Sequence, residues 1–509
     1  MFRRLLIANR GEVAVRVART ARALGIRCIG VYSDADATAV HRRAMDESIR
    51  IGGPLPVDSY LNADRILSAA SQADVEAIHP GYGFLSENPT FATRCGEAGF
   101  VFIGPPPGAM ALSGDKIAAR TAMAGAGLPV TKGVDRALRS VDDARSIASE
   151  IGYPILLKAT AGGGGIGMSR VDRPADLASA FEAARSVARA NFGNPDLFLE
   201  KYLRRARHVE VQVLLDRGRG LGFVERECSV QRRYQKLVEE TPSPAVGAKL
   251  RSRLIDVALR GLRTLGYRNA GTVEFLLHDG GFSFNEVNAR LQVEHPITEM
   301  VTGVDLVREQ LRIASGDGLG VSSTEVTHRG HAIECRVNAE DPLRNFLPSP
   351  GRVVGYREPH GVGVRVDSGI GVGSDVPPYY DPLLAKVIVH ARSRRAAIDR
   401  MLQSIDAFEI RGVHTTLPFH RALFLRPEFK QGKLWTTMAA DLRIAERIRS
   451  RGPQEERIAA IAAALTASGR TRLGPTFSFE RPRVANWALA GRRERMAGGG
   501  HAPSARRRW

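Results

Sequence analysis

The sequence predicts a protein of mixed α/β and α+β class: an N-terminal parallel α/β unit, a central unit with a glycine-rich flap, and a C-terminal β-rich unit. Three observations predict it. Residues 2 to 30 alternate strand, helix and strand (RLLIAN, EVAVRVARTARALG, IRCIGVY), the opening of a parallel sheet. Past residue 330 the pattern changes to short strands and turns (HAIECRVNAED, GRVVGYREP, GVGVRVDSGI), followed by the helical stretch RRAAIDRMLQSIDAF. The length of 509 residues also exceeds the ~250 to 300 at which a single core stops growing.

In chain order, alternation continues through HPGYGFLSENP and FVFIGPPP, so the parallel sheet ends near Pro107. The loop His79 to Pro89 follows the strand VEAIH, where open parallel sheets place ligand-facing loops. A second unit starts around Gly114 and Asp115 with the helix KIAARTAMAGAG. ILLKA reads as a strand, Gly162 to Gly165 as a loop without Cβ atoms that can turn backbone N–H groups onto a phosphate, and GMSRV as a returning strand. This is a hairpin flap. It is neither a Walker loop nor a dinucleotide fingerprint, both of which open a helix. LFLEKYLRRARHVEVQVLLD holds two strands around a polar loop, and Gln231 and Lys236 follow in a segment framed by acids. From Arg449 come an Ala-rich helix (PQEERIAAIAAALTASG) and a Gly, Pro and Arg-rich end, with Ala497 to Trp509 expected to be disordered.

Composition narrows the function classes. Four cysteines without CxxC spacing suggest neither a zinc cluster nor a disulfide framework, as in a reducing cytoplasm. Met1 leads straight into RRLLIANRGE, and no apolar run is long enough to span a bilayer, so a soluble cytoplasmic protein without membrane association is expected. A net charge of +19 invites nucleic acid as a partner, but the basic residues are dispersed and carry no binding signature, so none is expected. Of the 73 basic residues only nine are lysine. A position that keeps Lys is one where a compact ammonium is wanted. Lys116, Lys158, Lys201 and Lys236 all fall inside the motifs above and below.

The chemistry is expected in EVNARLQVEHPITE, Glu286 to Glu299. Between Glu286 and Glu294 polar and apolar residues alternate, which puts Glu286, Asn288, Arg290, Gln292 and Glu294 on one face of an extended segment. The strand is expected to hold near Glu286 and give way to loop before Glu294. Upstream, GTVEFLLHDGGFSFNEVN reads as a hairpin turning at Asp279 to Gly281. A three-residue loop places Glu274 directly across from Glu286, whereas a two-residue loop puts them on opposite faces. Two carboxylates and an amide make an all-oxygen site suited to Mg²⁺ or Mn²⁺.

Taken together, IANRGE, HPGYGFLSEN, FIGP, GDK, KA(x)2GGGGxGM, EKY, RHVEVQV, RECSVQRRYQK, NEVNARLQVEHPITE, GHAIECRVNAEDP and VPPYYDPLLAK resemble biotin carboxylase, the ATP-grasp component of biotin-dependent carboxylases, over residues 1 to 445. The resemblance implies an N-terminal pre-ATP-grasp domain (1–114), an ATP-grasp domain (115–328) with a lid at about 131–203, a C-terminal biotin carboxylase domain (329–446) and a tail (447–509). It implies that Lys116 and Lys158 hold phosphates, Gly164 and Gly165 close over them, Glu200, Lys201, Tyr202 and Leu203 seat the adenine, and His208, Gln231 and Tyr234 flank the nucleotide. Glu274, Glu286 and Asn288 then carry the divalent ion. Bicarbonate lies against Lys236, Arg290, Gln292 and Val293, Glu294 is the base, and Arg336 stabilises the biotin enolate. The chain departs from the family pattern at Ala161, Ile166 and Tyr234. It contains no Met-Lys pair, so biotin is expected on a separate carrier protein, with carboxyltransferase subunits as further partners and a homodimer as the assembly. The final carboxyl acceptor, acyl-CoA as in fatty acid biosynthesis or a keto acid, is chosen outside this chain. Two other readings stay open: another ATP-grasp carboxylate-amine ligase, and a nucleotide-binding protein with a degenerate site.

Overall fold

A computed structural model describes residues 1–161, 167–279, 281–322, 325–448, 460, 461, 463–465 and 467. The flap residues Gly164, Gly165 and Ile166 and the tail after Ala467 lie outside the described residues. Contacts divide the chain into two units, Met1–Arg449 and Ser450–Trp509. In the second, the described residues of the expected Ala-rich helix are helical.

The first unit opens as the alternation predicts. Strands β1 (Arg4–Ile7), β2 (Arg27–Ser33), β3 (Glu47–Gly52), β4 (Ala77–His79) and β5 (Val101–Phe102) form one parallel sheet in the order β3-β2-β1-β4-β5. The helix Gly11–Ala23 turns Val13, Ala14, Val17, Ala18 and Ala21 inward at helical spacing, and they bury against Leu5, Ile7 and Cys28 of the sheet. Loops after β1 and β4 therefore emerge together at the carboxyl end of the sheet. The next strands, β6 (Ile155–Ala159), β7 (Ser169–Val171) and β8 (Leu197–Lys201), form a small antiparallel sheet, with β6 and β7 as the two arms of the expected flap.

The site is positioned by a nine-stranded sheet. It contains β9 (Arg207–Asp216), β10 (Arg219–Gly222), β11 (Arg226–Arg232), β12 (Gln235–Thr241), β13 (Asn269–His278), β14 (Gly281–Asn288), β15 (His331–Asn338) and the strands Val364–Ser368 and Leu383–Ala391. Its path runs β14-β13-β9-β11-β12-β15 and on to the last two, with β10 paired to β9. One face packs Val209, Val211 and Val213 of β9 and Val273 and Phe275 of β13 on the helix Ala248–Thr264, while the alternate residues carry the polar face.

Two irregularities decide what that polar face presents. The hairpin β13–β14 is joined by two residues, Asp279 and Gly280, not the three that direct opposition of Glu274 and Glu286 was expected to need. His278 to Phe275 pair in that two-residue register, and a bulge between Phe284 and Glu286 then advances β14 by one. Glu274 and Glu286 end up directly opposite after all. A second irregularity, where Val230 pairs with Val238 but Gln231 with Lys236, advances β12 by one residue. Lys236 reaches the buried Glu294 directly, and Glu239 is joined to it through the Arg336 guanidinium. As expected, the strand ends at Asn288 and residues up to Glu294 are loop and turn, before Glu294 caps the helix His295–Thr302.

Candidate active site

A cavity of about 1080 Å³ opens between the N-terminal sheet, the flap arms and the large sheet. Every site residue expected from the sequence and described by the structure lines it, except Glu294, which is fully buried beneath its wall.

Three strands carry the charge. Glu210 of β9 pairs in register with Glu274 of β13, which pairs with Glu286 of β14, so three carboxylates stand in a row across neighbouring strands. Like charges in direct opposition destabilise a sheet unless a cation intervenes. Lys236 supplies one: its Nζ lies 2.6 Å from Glu210, 2.7 Å from Glu274 and 2.6 Å from Glu294, one N–H for each. The fully buried Arg226 donates to Glu210 at 2.5 Å and to Gln212, Thr272 and Thr298. His208 lies 3.1 Å from Glu274. Burial acts to lower its pKa, but Glu274 and Glu210 outweigh burial and push it up to about 9, so it is a cation. Ammonium and guanidinium groups thus occupy Glu210 and Glu294, which with Cys228 otherwise lie close enough together to hold a metal.

Glu286 is different. Burial, and then the neighbouring Glu274, push its pKa up, and it makes no hydrogen bond to a described residue. Asn288 donates to Glu274 at 2.9 Å and accepts from Arg290 at 3.2 Å. Of the facing pair Glu274 is already met by Lys236, His208, Asn285 and Asn288, so Glu286, with the Asn288 amide oxygen beside it, is the part open to a hard divalent cation, which Glu274 would share.

Toward the flap, Lys158 of β6 pairs with Glu200 of β8 at 2.5 Å and donates to Asn285 at 3.3 Å. Lys116, the first residue of its helix, follows the N-cap Asp115. Burial lowers its pKa, with Glu286 opposing. The Lys201 ammonium turns away to the carbonyls of Gly152 and Tyr153. Arg170 of β7 lies over the Tyr202 ring at 4.6 Å. Tyr234 sits at the β11–β12 turn, where it and Arg233 both have positive φ, and is 40% exposed at the cavity mouth.

Toward the C-terminal strands lies a second group of cations. Arg290 is held by Glu87 at 3.1 Å and leans on its own loop through the Leu291 carbonyl. Gln292, with its amide nitrogen turned to Glu294 at 3.1 Å, accepts from Arg290 and Asn288. Arg336 forks between Glu239 at 2.6 Å and Glu294 at 2.9 Å. Burial and Glu210 raise the Glu294 pKa, but Lys236, Arg336 and Arg226 more than offset them, so it is held below the usual carboxylate range and is ionised.

Sequence reasoning missed Glu210, Arg226, Glu239, Glu87 and Asn285. For Glu210 the signal was present, because RHVEVQV places His208, Glu210 and Gln212 on one face. The others gain meaning only from partners distant in sequence.

A flap hairpin and a central sheet that place two lysines and a carboxylate pair around one cavity define an ATP-grasp ligase. Family models match in order: biotin carboxylase N-terminal domain over residues 1–110, carbamoyl-phosphate synthase L chain ATP binding domain over 115–322, and biotin carboxylase C-terminal domain over 334–441. The chain is 46% identical over 491 residues to a pyruvate carboxylase subunit of Methanothermobacter thermautotrophicus, covering 93% of this chain and 100% of that one. It is 46% identical over 439 residues to biotin carboxylase 1 of Bacillus subtilis, covering 86% and 98%. Among solved structures, the biotin carboxylase domain dimer of Hydrogenobacter thermophilus 2-oxoglutarate carboxylase, in complex with MgADP, ADP and bicarbonate, superposes with a TM-score of 0.86 at 43% identity over 89% of this chain and 100% of that one. The biotin carboxylase–β-γ-ATP complex from Campylobacter jejuni gives 0.85 at 43% identity, covering 87% and 99%. The chain belongs to the biotin carboxylase family and is an ATP-dependent ligase that carboxylates biotin.

Proposed function

We propose that the chain activates bicarbonate with ATP as carboxyphosphate and carboxylates biotin borne on a separate carrier protein, with Lys116, Lys158, Lys236, Arg290, Glu294 and Arg336 as the working side chains. The observation that carries this is Glu294: a fully buried, ionised carboxylate between Lys236 and Arg336, at the foot of the loop that bears Arg290. A base so placed takes the bicarbonate proton. A bicarbonate oxygen then forms a bond to the γ-phosphorus while the β–γ bridge bond breaks and ADP leaves. The Arg290 guanidinium and the Lys236 ammonium neutralise the anion as charge builds. A divalent ion held by Glu274, Glu286 and Asn288 supplies charge neutralisation at the phosphates. The carboxyl carbon of carboxyphosphate then bonds to the biotin ureido nitrogen as its bond to the phosphate oxygen breaks; the departing phosphate takes that nitrogen's proton, and Arg336, on β15, is placed to receive the negative charge of the ureido group. Lys158 and Lys116 orient the nucleotide under the flap. A separate carrier protein is in keeping with a sequence that contains no Met-Lys pair, carboxyltransferase partners with the family to which the chain belongs, and a homodimer with the Hydrogenobacter domain, which is solved as a dimer. Among the described residues no helix is long and apolar enough to cross a membrane, in keeping with a cytoplasmic setting. The test is ADP release with free biotin, with and without bicarbonate. Release that needs both is expected, and no stimulation by either overturns the proposal.

A further inference from the structure

Lys386 is one of the nine lysines of this arginine-rich chain and lies in the middle of the strand Leu383–Ala391 with no exposed surface. A buried ammonium is costly unless its N–H groups are placed. Its Nζ lies 2.9 Å from the Val293 carbonyl oxygen and 3.1 Å from Glu12. In the sheet Lys386 pairs with Arg336, so the two cations stand side by side on one face. Arg336 holds the Glu294 side chain, while Lys386 holds the carbonyl of the residue before it. The peptide unit is planar, so fixing the Val293 carbonyl also fixes the Glu294 N–H and the place of its Cα, from which the side chain departs. Residues 289 to 294 belong to neither strand nor helix, and few ladder hydrogen bonds hold them. None of the chemistry proposed above uses Lys386.

We propose that Lys386 is a positioning residue for the bicarbonate loop: by donating to the Val293 carbonyl it holds Val293 and the base Glu294 in register with Arg336. This rests on the reading of Glu294 and its neighbours as the bicarbonate site. The alternative role for Lys386 is that of a counter-ion to Glu12. The two roles separate because Glu12→Gln removes the ion pair and keeps the donor to Val293, whereas Glu12→Gln/Lys386→Met removes the donor and leaves no unpaired carboxylate at residue 12.

The experiment uses the full chain and measures the KM for bicarbonate in biotin-stimulated ADP release, the kcat, and MgADP binding by calorimetry. The double variant is expected to raise the bicarbonate KM about tenfold or more, since small misplacements of reacting groups are costly, with MgADP affinity within about twofold of wild type. Glu12→Gln alone is expected to stay within about twofold in all three. A wild-type KM in the double variant, or an equal rise in Glu12→Gln, overturns the proposal. Glu294→Gln serves as the control on the underlying reading: if it retains biotin-dependent turnover, the bicarbonate-site reading falls and takes this proposal with it. Loss of turnover there, beside an unchanged KM in the double variant, overturns the proposal alone.

Discussion

The substitution Glu239→Gln tests how Arg336 is aimed. Arg336 Nε donates to Glu239 at 2.6 Å and its Nη2 to Glu294 at 2.9 Å, so the guanidinium bridges Glu239 and the proposed base Glu294. Glutamine keeps an acceptor oxygen but removes the charge. A charge-assisted hydrogen bond contributes about 1.5–3 kcal/mol against about 1 for a neutral one. The loss is therefore about 0.5–2 kcal/mol, or roughly 2- to 30-fold in kcat/KM for biotin. Binding of MgADP, proposed above to rest on Lys116 and Lys158, is expected to be unchanged. A pH signature accompanies the rate loss. Burial pushes the Glu239 pKa up to about 7, against the pull of Arg336, with Glu294 adding to the rise and Lys236 opposing it; Glu334 faces it from β15. As pH falls through about 7, Glu239 takes a proton and its hold on Arg336 weakens, so kcat/KM for biotin should decline in the wild type and lack that limb in the variant. Steady-state kinetics with free biotin between pH 6 and 8, a window set around that value, would measure both. A variant with the wild-type rate and the same acid limb refutes the reasoning.

Two further outcomes follow from the same geometry. Glu286→Gln keeps the shape of the strand and removes one carboxylate of the pair. The Mg²⁺ concentration for half-maximal activity should rise about 10- to 100-fold, as for loss of a metal-supporting group, and an unchanged Mg²⁺ titration would remove Glu286 from the metal site. Glu12 governs a stability window: burial pushes it up to about 6 from 4.5, with Lys386 and Arg365 opposing and Asp367 adding. Its folded-state pKa is raised, so between those values the folded protein binds more protons than the unfolded chain, and stability falls as pH rises, by about 2 kcal/mol in all. Glu12→Gln should flatten the thermal midpoint across that window, and the same slope in both proteins would show that Glu12 does not set it.

The facing of Glu274 and Glu286 was legible because it depends on local pattern: β-rich runs, a turn cluster and alternation around the two residues. The reason for their opposition was not, since a two-residue turn gives the wrong face until the bulge at Asn285 restores it. A bulge is set by what packs beneath the strand, and the sequence carries no local mark of it. Lys236 was legible as a lysine kept among arginines, yet its grip on Glu210, Glu274 and Glu294 joins three elements up to 58 residues away. Glu239 with Arg336 and Glu87 with Arg290 are longer still, at 97 and about 200 residues. Such pairs exist only once the sheet order is known. That the strand gives way to loop before Glu294 was legible, but its end at Asn288 was not, because the alternation of polar and apolar residues runs on to Glu294.

The pairing of β12 with β15 has a consequence for how the protein is made. Some ninety residues separate Thr241 from its partner strand, which begins at His331. At ribosomal rates of about 5–20 residues per second, β12 waits roughly 5–20 s with one edge unpaired. That edge carries Leu237 and Val238, both buried in the finished core, and is a template for another nascent chain. Arg336 and Lys386 arrive only with the strands that close it. The proposed catalytic centre is therefore completed late in biosynthesis, and a chain cut before residue 331 would display a sticky strand instead of a weakened enzyme.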